Sequence, residues 1–261
     1  MPRERPSDRN ARAHTTQRRA RPAASRQRLL VDGRRVVLEA IAAGRASEIL
    51  APRRTQDREV LTAAEAAGVP VRIVELGDRE EVSARVEVPP ELSERELASM
   101  RYREDAIAIV LDGITDPQNL GAAARSAEAA GAQLLVTRDR RAAPTTAAAV
   151  RASAGALFHL PLARVANIAR AIARLQELGF TAIGLDERAE RTIYEAAAPE
   201  GRVALVVGAE DRGLSRLVRE RCDELVALPM RGRVSSLNAS AALSAALFGF
   251  VLPSRPDGSA G

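Results

Sequence analysis

Residues 106–137 read "AIAIVLDGITDPQNLGAAARSAEAAGAQLLVT" and predict a strand, a helix and a second strand in close succession. The first run is apolar up to Asp112, which is typical of a strand buried on both faces of a sheet. The alanine-rich stretch after Asn119 has the composition of a helix and ends at Gly131, after which "LLVT" resumes a strand. Because a strand that is joined to the next through a helix runs parallel to it, this stretch predicts a parallel α/β fold.

The same alternation continues towards the end of the chain. It predicts helices at 144–153, 165–179, 214–222 and 235–250, and strands at 180–186, 202–210 and 224–230. A sheet built in this way is covered by helices on both sides, and its ligands bind beyond the carboxyl ends of its strands.

A smaller α/β unit is predicted ahead of this region. It would contain a helix after Gly33, a strand at 47–50, a helix that closes at Gly68 and a strand at 71–74. Paired prolines and many charges come next, so the following segment is predicted to be a linker with a short helix from Ser93. The predicted division of the chain is a basic disordered tail at 1–28, the small unit at 29–88, the linker at 89–105, the main domain at 106–253 and a C-terminal tail at 254–261.

The basic charge of the chain is concentrated in its first 28 residues. They hold nine arginines and only two acidic residues, Glu4 and Asp8, whereas the whole chain of 261 residues has a net charge of +5. The rest of the chain is therefore slightly acidic. An arginine-rich segment without aromatic residues stays disordered alone and binds phosphates through counterion release, so the tail is either an RNA-contacting arm or an inert extension.

The remaining composition restricts the class of protein. The only cysteine, Cys222, excludes an internal disulfide framework and a cysteine-based zinc site, so we expect a reducing, cytoplasmic compartment and no metal. No apolar run reaches the roughly 18 residues that span a membrane, and we expect no membrane partner. Hydrophobic residues make up 46% of the chain but aromatic residues only 2%, so its core must consist of Ala, Val, Leu and Ile.

Three junctions between predicted strands and helices carry unusual polar residues. The first has Asn119 at an expected helix N-cap and Arg125 six residues later; the second has Glu210 two residues after Gly208. The third leads into the last helix and is rich in small polar side chains, namely Ser235, Ser236, Asn238 and Ser240. Ser235 or Ser236 can cap that helix, and Ser236 and Ser240 would share one face of it.

Each of these polar residues has an ordinary structural explanation when it is considered alone. Asn119 can be a cap, Arg125 a solvated side chain and Glu210 a partner of a helix dipole. Capping uses only one polar group, however, and buried polar groups without partners cost about 1–3 kcal/mol each. The polar patch at the start of an apolar helix therefore indicates a polar ligand or a neighbouring strand end.

Together the three junctions resemble, in order and spacing, the three motifs of the SpoU/TrmH family of RNA 2′-O-ribose methyltransferases in the SPOUT superfamily. The motifs are "DPQNLGAAARSAEAAG" (116–131), "LVVGAEDRGLS" (205–215) and "LPMRGRVSSLNASAA" (228–242), and the resemblance covers about residues 106–251. Residues 29–88 resemble the L30-like substrate-binding domain of the branch that methylates a 23S rRNA guanosine.

This resemblance implies a C-terminal trefoil knot that binds S-adenosyl-L-methionine, a homodimer formed with the last helix, and an RNA substrate, most readily ribosomal RNA. The cofactor would be held by Gly208, Leu228 and Leu237, with Leu185 and Met230 as further candidates. The reaction would depend on Arg125, surrounded by Asn119, Glu210, Ser236 and Asn238. Because a guanidinium stays protonated in proteins, Arg125 would stabilise the forming alkoxide and the adjacent phosphate rather than act as a base.

Other functions remain open at this point. The same chemistry could act on a tRNA, although the separate unit at 29–88 argues against that. The chain could also be a non-catalytic RNA-binding or ribosome-assembly protein on the same fold. A nucleotide-binding oxidoreductase is disfavoured because the fingerprint G-x-G-x-x-G is missing from the strand–helix junctions.

Overall fold

The computed structural model describes residues 27–53, 57–75, 81–197, 199–233 and 236–254. The predicted arginine-rich tail falls outside these ranges except for residues 27 and 28, and Ser235 and nearly all of the C-terminal tail fall outside them as well.

A four-stranded mixed sheet with two helices forms the N-terminal part of the described chain. Its elements are β1 (Arg28–Asp32), α1 (Arg34–Ala42), β2 (Ala46–Pro52), α2 (Arg58–Ala66), β3 (Val71–Val74) and β4 (Ser83–Glu87). The strand order is β1-β4-β2-β3, in which only β2 and β3 pair in parallel. Both helices, β2 and β3 lie where the sequence predicted them.

The strands β1 and β4 are the two elements that the sequence analysis missed in this part. Arg28 already belongs to β1, so the predicted tail extends one residue into the sheet. The strand β4 has only two apolar residues, Ala84 and Val86, and they alternate with polar ones. It therefore lacks the continuous apolar run that would mark it as a strand. Both strands are recognisable only through the partners with which they pair.

The segment between the two sheets begins with a well-capped helix, α3 (Glu94–Ser99). The Ser93 hydroxyl accepts a hydrogen bond from the Glu96 backbone N–H, and the Glu96 carboxylate accepts one from the Ser93 backbone N–H. This reciprocal capping box explains why the predicted short helix starts after Ser93.

The second sheet has six strands, and all of its neighbouring strands are parallel. They are β5 (Ile107–Asp112), β6 (Leu134–Arg138), β7 (Leu162–Val165), β8 (Phe180–Leu185), β9 (Arg202–Gly208) and β10 (Glu224–Val226), in the order β10-β8-β9-β5-β6-β7. The predicted α/β fold with a parallel sheet is confirmed.

Helices cover both faces of this sheet. They are α4 (Pro117–Ala129), α5 (Ala147–Ala152), α6 (Ile168–Glu177), α7 (Arg216–Arg221) and α8 (Ala239–Ala246). Buried residues of α4, α5 and α8 belong to one apolar cluster, and those of α3, α6 and α7 belong to a second. Side chains of β5 alternate between the two clusters, since Ile107 and Ile109 contribute to the first and Ala108 and Val110 to the second. Two apolar faces explain the continuous apolar sequence of this strand.

Four predicted helix starts are wrong, and each is corrected by a nearby residue that fits the N-cap better. Thr146 caps α5, so this helix starts at Ala147 and not at residue 144. Asp116, not Asn119, caps α4, because Pro117 takes the first helical position, where no backbone N–H is needed. Asn167 caps α6, and Val165 before it belongs to the unpredicted strand β7. Asn238, not Ser235 or Ser236, caps α8, so Ser236 precedes the helix and does not share a helical face with Ser240.

The closest contact between helices lies where α4 crosses α5. A methyl group at Gly121 would lie 2.3 Å from the Ala149 carbonyl oxygen and 2.6 Å from the Ala152 Cβ. We expect Gly121→Ala to lower the free energy of unfolding by about 1–3 kcal/mol, because the two helices would have to separate. The midpoint of urea unfolding measures this loss.

Gly249→Ala is the matched control for this substitution. Its added methyl group would meet Ile193 at 3.9 Å, which is an ordinary contact, and alanine favours helical backbone. We expect its midpoint to equal or exceed that of the wild type. Equal midpoints for Gly121→Ala and the wild type would contradict the proposed close packing of α4 and α5.

Candidate functional site

A pocket opens at the carboxyl ends of β8, β9 and β10, as expected for a parallel sheet. Loops that follow these strands, together with the start of α8, form its wall. The residues predicted to bind a cofactor all line it, namely Leu185, Gly208, Leu228, Met230 and Leu237. The pocket therefore brings together positions that are up to 52 residues apart in the chain, as Leu185 and Leu237 show.

Gly208 ends β9 at a point where the chain folds back tightly on itself. A Cβ at this position would lie 2.1 Å from the Gly213 carbonyl carbon and 2.4 Å from the Leu214 nitrogen. The loop is closed by a hydrogen bond from the Gly213 N–H to the Ala209 carbonyl (2.7 Å), and Gly213 has a left-handed φ of 62°. Glycine at 208 thus allows residues 209–213 to fold against the strand end and to form one side of the pocket.

The side chains at the mouth of the pocket are apolar and accessible. Met230 is 39% exposed and Leu237 is 41% exposed, although both are large hydrophobic residues. Leu185 and Leu228 lie deeper, packed against the main apolar cluster. Such a lining suits the flat apolar faces of a ligand whose polar groups are recognised at the edges.

A hydrogen-bonded cluster of three side chains joins the three predicted junctions. The Asn119 side-chain N–H donates to Glu210 Oε1 (2.8 Å), and the Asn238 side-chain N–H donates both to Glu210 Oε1 (2.6 Å) and to Asn119 Oδ1 (2.8 Å). Glu210 and the neighbouring Ser236 line the pocket. We call Asn119, Glu210 and Asn238 the junction cluster, because each comes from a different motif.

Asn238 is held at both ends of its amide. Its Oδ1 accepts hydrogen bonds from the Ser240 N–H (2.9 Å) and the Ser240 hydroxyl (2.6 Å), while its Nδ2 serves the junction cluster. Capping α8 therefore fixes the orientation of the amide that reaches towards Glu210. Ser240 supports the site in this indirect way.

Arg125 is not brought into contact with the junction cluster. It is exposed on α4, and its guanidinium makes no hydrogen bond or ion pair with any residue that the structure describes. Six residues advance a helix by about 600°, so the side chains of Arg125 and Asn119 point about 120° apart around the helix axis. Of the five predicted catalytic residues, three are thus joined by hydrogen bonds, Ser236 lines the pocket nearby and Arg125 lies apart.

Sequence analysis missed two buried aspartates at strand ends. Asp112, which ends β5, is 3% exposed and accepts a hydrogen bond from the Ser215 N–H (2.8 Å). Asp186 follows β8, lines the pocket and forms an ion pair with Arg219 (2.5 Å). Each is the first charged residue after an apolar strand, and that position could have identified both as residues that hold the loops in place.

Other kinds of catalytic group do not fit this site. Burial raises the pKa of the Cys222 thiol to about 12, so this thiol stays protonated at neutral pH and is a poor nucleophile. His159 contacts Glu39 at 3.3 Å, in the contact between the two sheets rather than at the pocket. Among the described residues no group of three or more His, Cys, Asp or Glu side chains could hold a metal ion.

Membrane insertion likewise finds no support in the helices. Within the ranges that the structure describes, none of them combines the length and the apolar character that crossing a bilayer requires.

Comparison with known proteins matches the main domain to a protein family and aligns a longer part of the chain with individual relatives. The protein family described as the SpoU rRNA methylase family matches residues 106–248. A protein named 23S rRNA (guanosine-2′-O-)-methyltransferase RlmB from Salmonella typhi is 43% identical over 168 residues, which cover 64% of this chain and 69% of the relative. The protein of the same name from Yersinia pestis is 40% identical over 194 residues, covering 70% and 78%.

A solved structure agrees with these sequence relatives. The SpoU methyltransferase AviRb from Streptomyces viridochromogenes, in complex with the cofactor AdoMet, superimposes with a TM-score of 0.70 and 30% identity, covering 85% of this chain and 88% of AviRb. The resemblance predicted from the three motifs is confirmed, and the chain belongs to the SpoU rRNA methylase family.

Proposed function

We propose that this protein is an S-adenosyl-L-methionine-dependent enzyme that methylates a ribose 2′-hydroxyl of ribosomal RNA, with a guanosine of 23S rRNA as its substrate. The junction cluster carries this proposal, because it places the polar residues of all three family motifs beside one pocket. The names of the RlmB relatives support the choice of RNA and nucleotide. Such a substrate also favours the cytoplasm as the place of action.

The pocket has the properties that S-adenosyl-L-methionine requires. Leu185, Leu228 and Leu237 offer apolar surface to an adenine, and strand ends supply backbone donors and acceptors at its edges. Glu210 adds a carboxylate to the pocket wall, which would favour a positively charged cofactor. When bound, the cofactor supplies a methyl group on a positively charged sulfur.

The protein's own residues would position and activate the ribose hydroxyl. That hydroxyl is a poor nucleophile and would lose its proton to the surrounding water as it accepts the methyl group. The second N–H of the Asn119 amide and the Ser236 hydroxyl would offer hydrogen bonds that orient the ribose, while the Asn238 amide holds Asn119 and Glu210 in place. A guanidinium would stabilise the negative charge that develops on the oxygen and hold the neighbouring phosphate.

A homodimer would explain how Arg125 takes part, because its guanidinium makes no hydrogen bond with the junction cluster of its own subunit. On the same helix Ser126 contacts Ser244 of α8 (2.7 Å), so α4 and α8 lie side by side. Phe248, just beyond α8, is 47% exposed, which is unusual in a chain with so few aromatic residues. We propose that two copies associate through this part of the surface and that Arg125 serves the site of the partner subunit.

The C-terminal chain is proposed to form a trefoil knot. The segment between β8 and β9 pairs with the end of β10 on the side away from β8, since the Ala227 N–H donates to the Arg191 carbonyl and the Ile193 N–H donates to the Ala227 carbonyl (both 2.9 Å). Residues 224–227 therefore run between β8 and this segment. The chain then continues from the α7 face to α8 on the opposite face, which is a path that a trefoil knot would require.

The N-terminal sheet is proposed to be the L30-like RNA-binding domain of residues 29–88, followed by the linker at 89–105, the methyltransferase domain at 106–253 and the short tail at 254–261. Contacts hold this sheet against the main domain, including Arg151 with Asp32 (3.5 Å) and His159 with Glu39 (3.3 Å). An RNA bound to this sheet would therefore be presented by a surface that is attached to the catalytic domain.

The first prediction concerns the cofactor pocket. Gly208→Ala should weaken S-adenosyl-L-methionine binding at least about tenfold, because the loop 209–213 would have to leave the strand end to relieve a 2.1 Å contact. Calorimetric titration with the cofactor measures the loss. Gly232→Ala is the control, since its added methyl group meets no atom of the described residues within 4 Å. Equal affinities of Gly208→Ala and the wild type would show that the cofactor binds elsewhere.

A second prediction concerns Arg125. Arg125→Ala should lower methyl transfer to 23S rRNA by about 10²–10³-fold, as expected for removal of a charge that stabilises an oxyanion. Cofactor affinity should stay within about twofold, because Arg125 does not line the pocket. Transfer of a labelled methyl group and calorimetry measure the two effects, and retained activity would exclude the proposed role.

Mixed dimers show which subunit supplies Arg125. A dimer purified with one Arg125→Ala subunit and one Asn238→Ala subunit would contain one intact site if the arginine acts across the interface, and should keep about half of the wild-type activity. If the arginine acted within its own subunit, both sites would be defective and the mixed dimer would be as inactive as either variant alone.

A further inference from the structure

The loop that follows β6 lies next to the junction between β5 and α4. Arg138, the last residue of β6, contacts the buried carboxylate of Asp112 (3.3 Å), and the Ala143 N–H donates to the Ile114 carbonyl (2.9 Å). The loop, residues 138–143, is therefore attached to the turn that leads to Asn119. Because the sheet order is β9-β5-β6, it lies two strand spacings, or about 10 Å, from the end of β9.

A buried arginine holds both ends of this loop. Arg164 on β7 is only 8% exposed, and its guanidinium donates to the Arg138 carbonyl (3.2 Å) and to the Ala143 carbonyl (2.8 Å). The same guanidinium pairs with Glu91 (2.8 Å), whose carboxylate also accepts a hydrogen bond from Thr145 (2.9 Å). A paired and fully hydrogen-bonded buried charge fixes its neighbours strongly, because each lost partner would leave a charge unsatisfied.

The exposed part of this loop presents two arginines without partners. Arg140 and Arg141 are exposed and form no hydrogen bond or ion pair with any part of the chain that the structure describes. Arg141 has a left-handed φ of 56°, which costs a residue with a side chain about 1–2 kcal/mol. The anchored loop ends maintain this conformation, and it directs two neighbouring arginines out of the loop.

Many other exposed arginines are neutralised by acidic neighbours. Arg170 pairs with Glu94 (2.5 Å) and Arg216 with Glu220 (2.7 Å), both on the side of the sheet covered by α6 and α7. The positive charge of Arg140 and Arg141 is not balanced in this way. Asp139 offsets one of the charges at most, so the loop keeps net positive charge beside the site.

We propose that Arg140 and Arg141, on the anchored loop after β6, bind backbone phosphates of the RNA strand next to the nucleotide that is methylated. Exposed Arg231 and Arg233 follow β10 at the other side of the pocket, so the RNA strand would cross the carboxyl edge of the sheet between two basic loops. Arginine suits this task because its guanidinium can hold a phosphate with two parallel hydrogen bonds. The identity of the RNA strand as substrate rests on the proposed function, whereas phosphate binding itself does not.

The test compares RNA binding by Arg140→Gln/Arg141→Gln with the wild type. Fluorescence anisotropy of a labelled 20-nucleotide single-stranded RNA, measured over a range of salt concentrations, should show about tenfold weaker binding at 0.1 M salt. The slope of log K against log salt concentration should fall by about 1–2, because up to two phosphate contacts are lost. In methyl transfer to 23S rRNA, KM should rise while kcat at saturating RNA stays within about twofold.

Two control variants separate a local contact from a general loss of charge. Arg170→Gln/Arg216→Gln removes the same charge from the opposite region and should leave both the affinity and the salt slope unchanged. Arg140→Lys/Arg141→Lys keeps the charge and should restore most of the binding. If Arg140→Gln/Arg141→Gln bound RNA with the affinity and the salt slope of the wild type, the proposal would be overturned. If that variant lost RNA binding but the wild type transferred no methyl group, the proposed function would be rejected and the proposed phosphate contacts would still be supported.

Discussion

The hydrogen bonds among Asn119, Glu210 and Asn238 are the interaction on which the site depends. They connect Glu210, two residues after β9, with Asn119 of α4 and with Asn238, the N-cap of α8, which lie more than a hundred residues apart in the chain. Neither amide can turn without losing a hydrogen bond to Glu210, and Asn238 would also lose the cap of α8. The pocket mouth therefore has one well-defined polar edge, and it is the edge to which a ribose hydroxyl would have to be brought.

The parallel sheet makes this cluster possible. Because every neighbouring pair of its strands is parallel, all the carboxyl ends lie at one edge, and the loops that follow them converge there. Two buried aspartates keep those loops in register: Asp112 accepts the Ser215 N–H, and Asp186 pairs with Arg219. The same edge presents the arginines of the loop after β6, so catalysis and proposed RNA binding share one scaffold.

Much of the architecture could be predicted from sequence because its signals are local. The continuous apolar run of β5, the alanine-rich α4 and the capping box at Ser93 each depend on neighbouring residues in the chain. By contrast, β1, β4 and β7 are short strands that become recognisable only through their partners. Asn119 and Asn238 were both predicted to be site residues, but their capping roles were misjudged. Asp116 with Pro117 makes a better start for α4 than Asn119 does. The cap of α8 is Asn238 and not one of the serines before it.

The relative position of distant segments was beyond sequence reasoning without the resemblance. Nothing local indicates that the segment between β8 and β9 pairs with Ala227, since that contact depends on the path of the whole C-terminal chain. The loop after β6 was missed for a similar reason. Its significance depends on Arg164, a buried residue of a strand that the sequence pattern did not reveal.

The central claim is that three strand-end loops place a methyl donor beside a polar edge that holds the acceptor. A crystal structure of the protein with S-adenosyl-L-methionine tests it most directly. We predict that the adenine lies among Leu185, Leu228 and Leu237 and that the methyl carbon faces Glu210 and Asn238. A cofactor bound outside this pocket, or one whose methyl group points away from these two residues, would contradict the account.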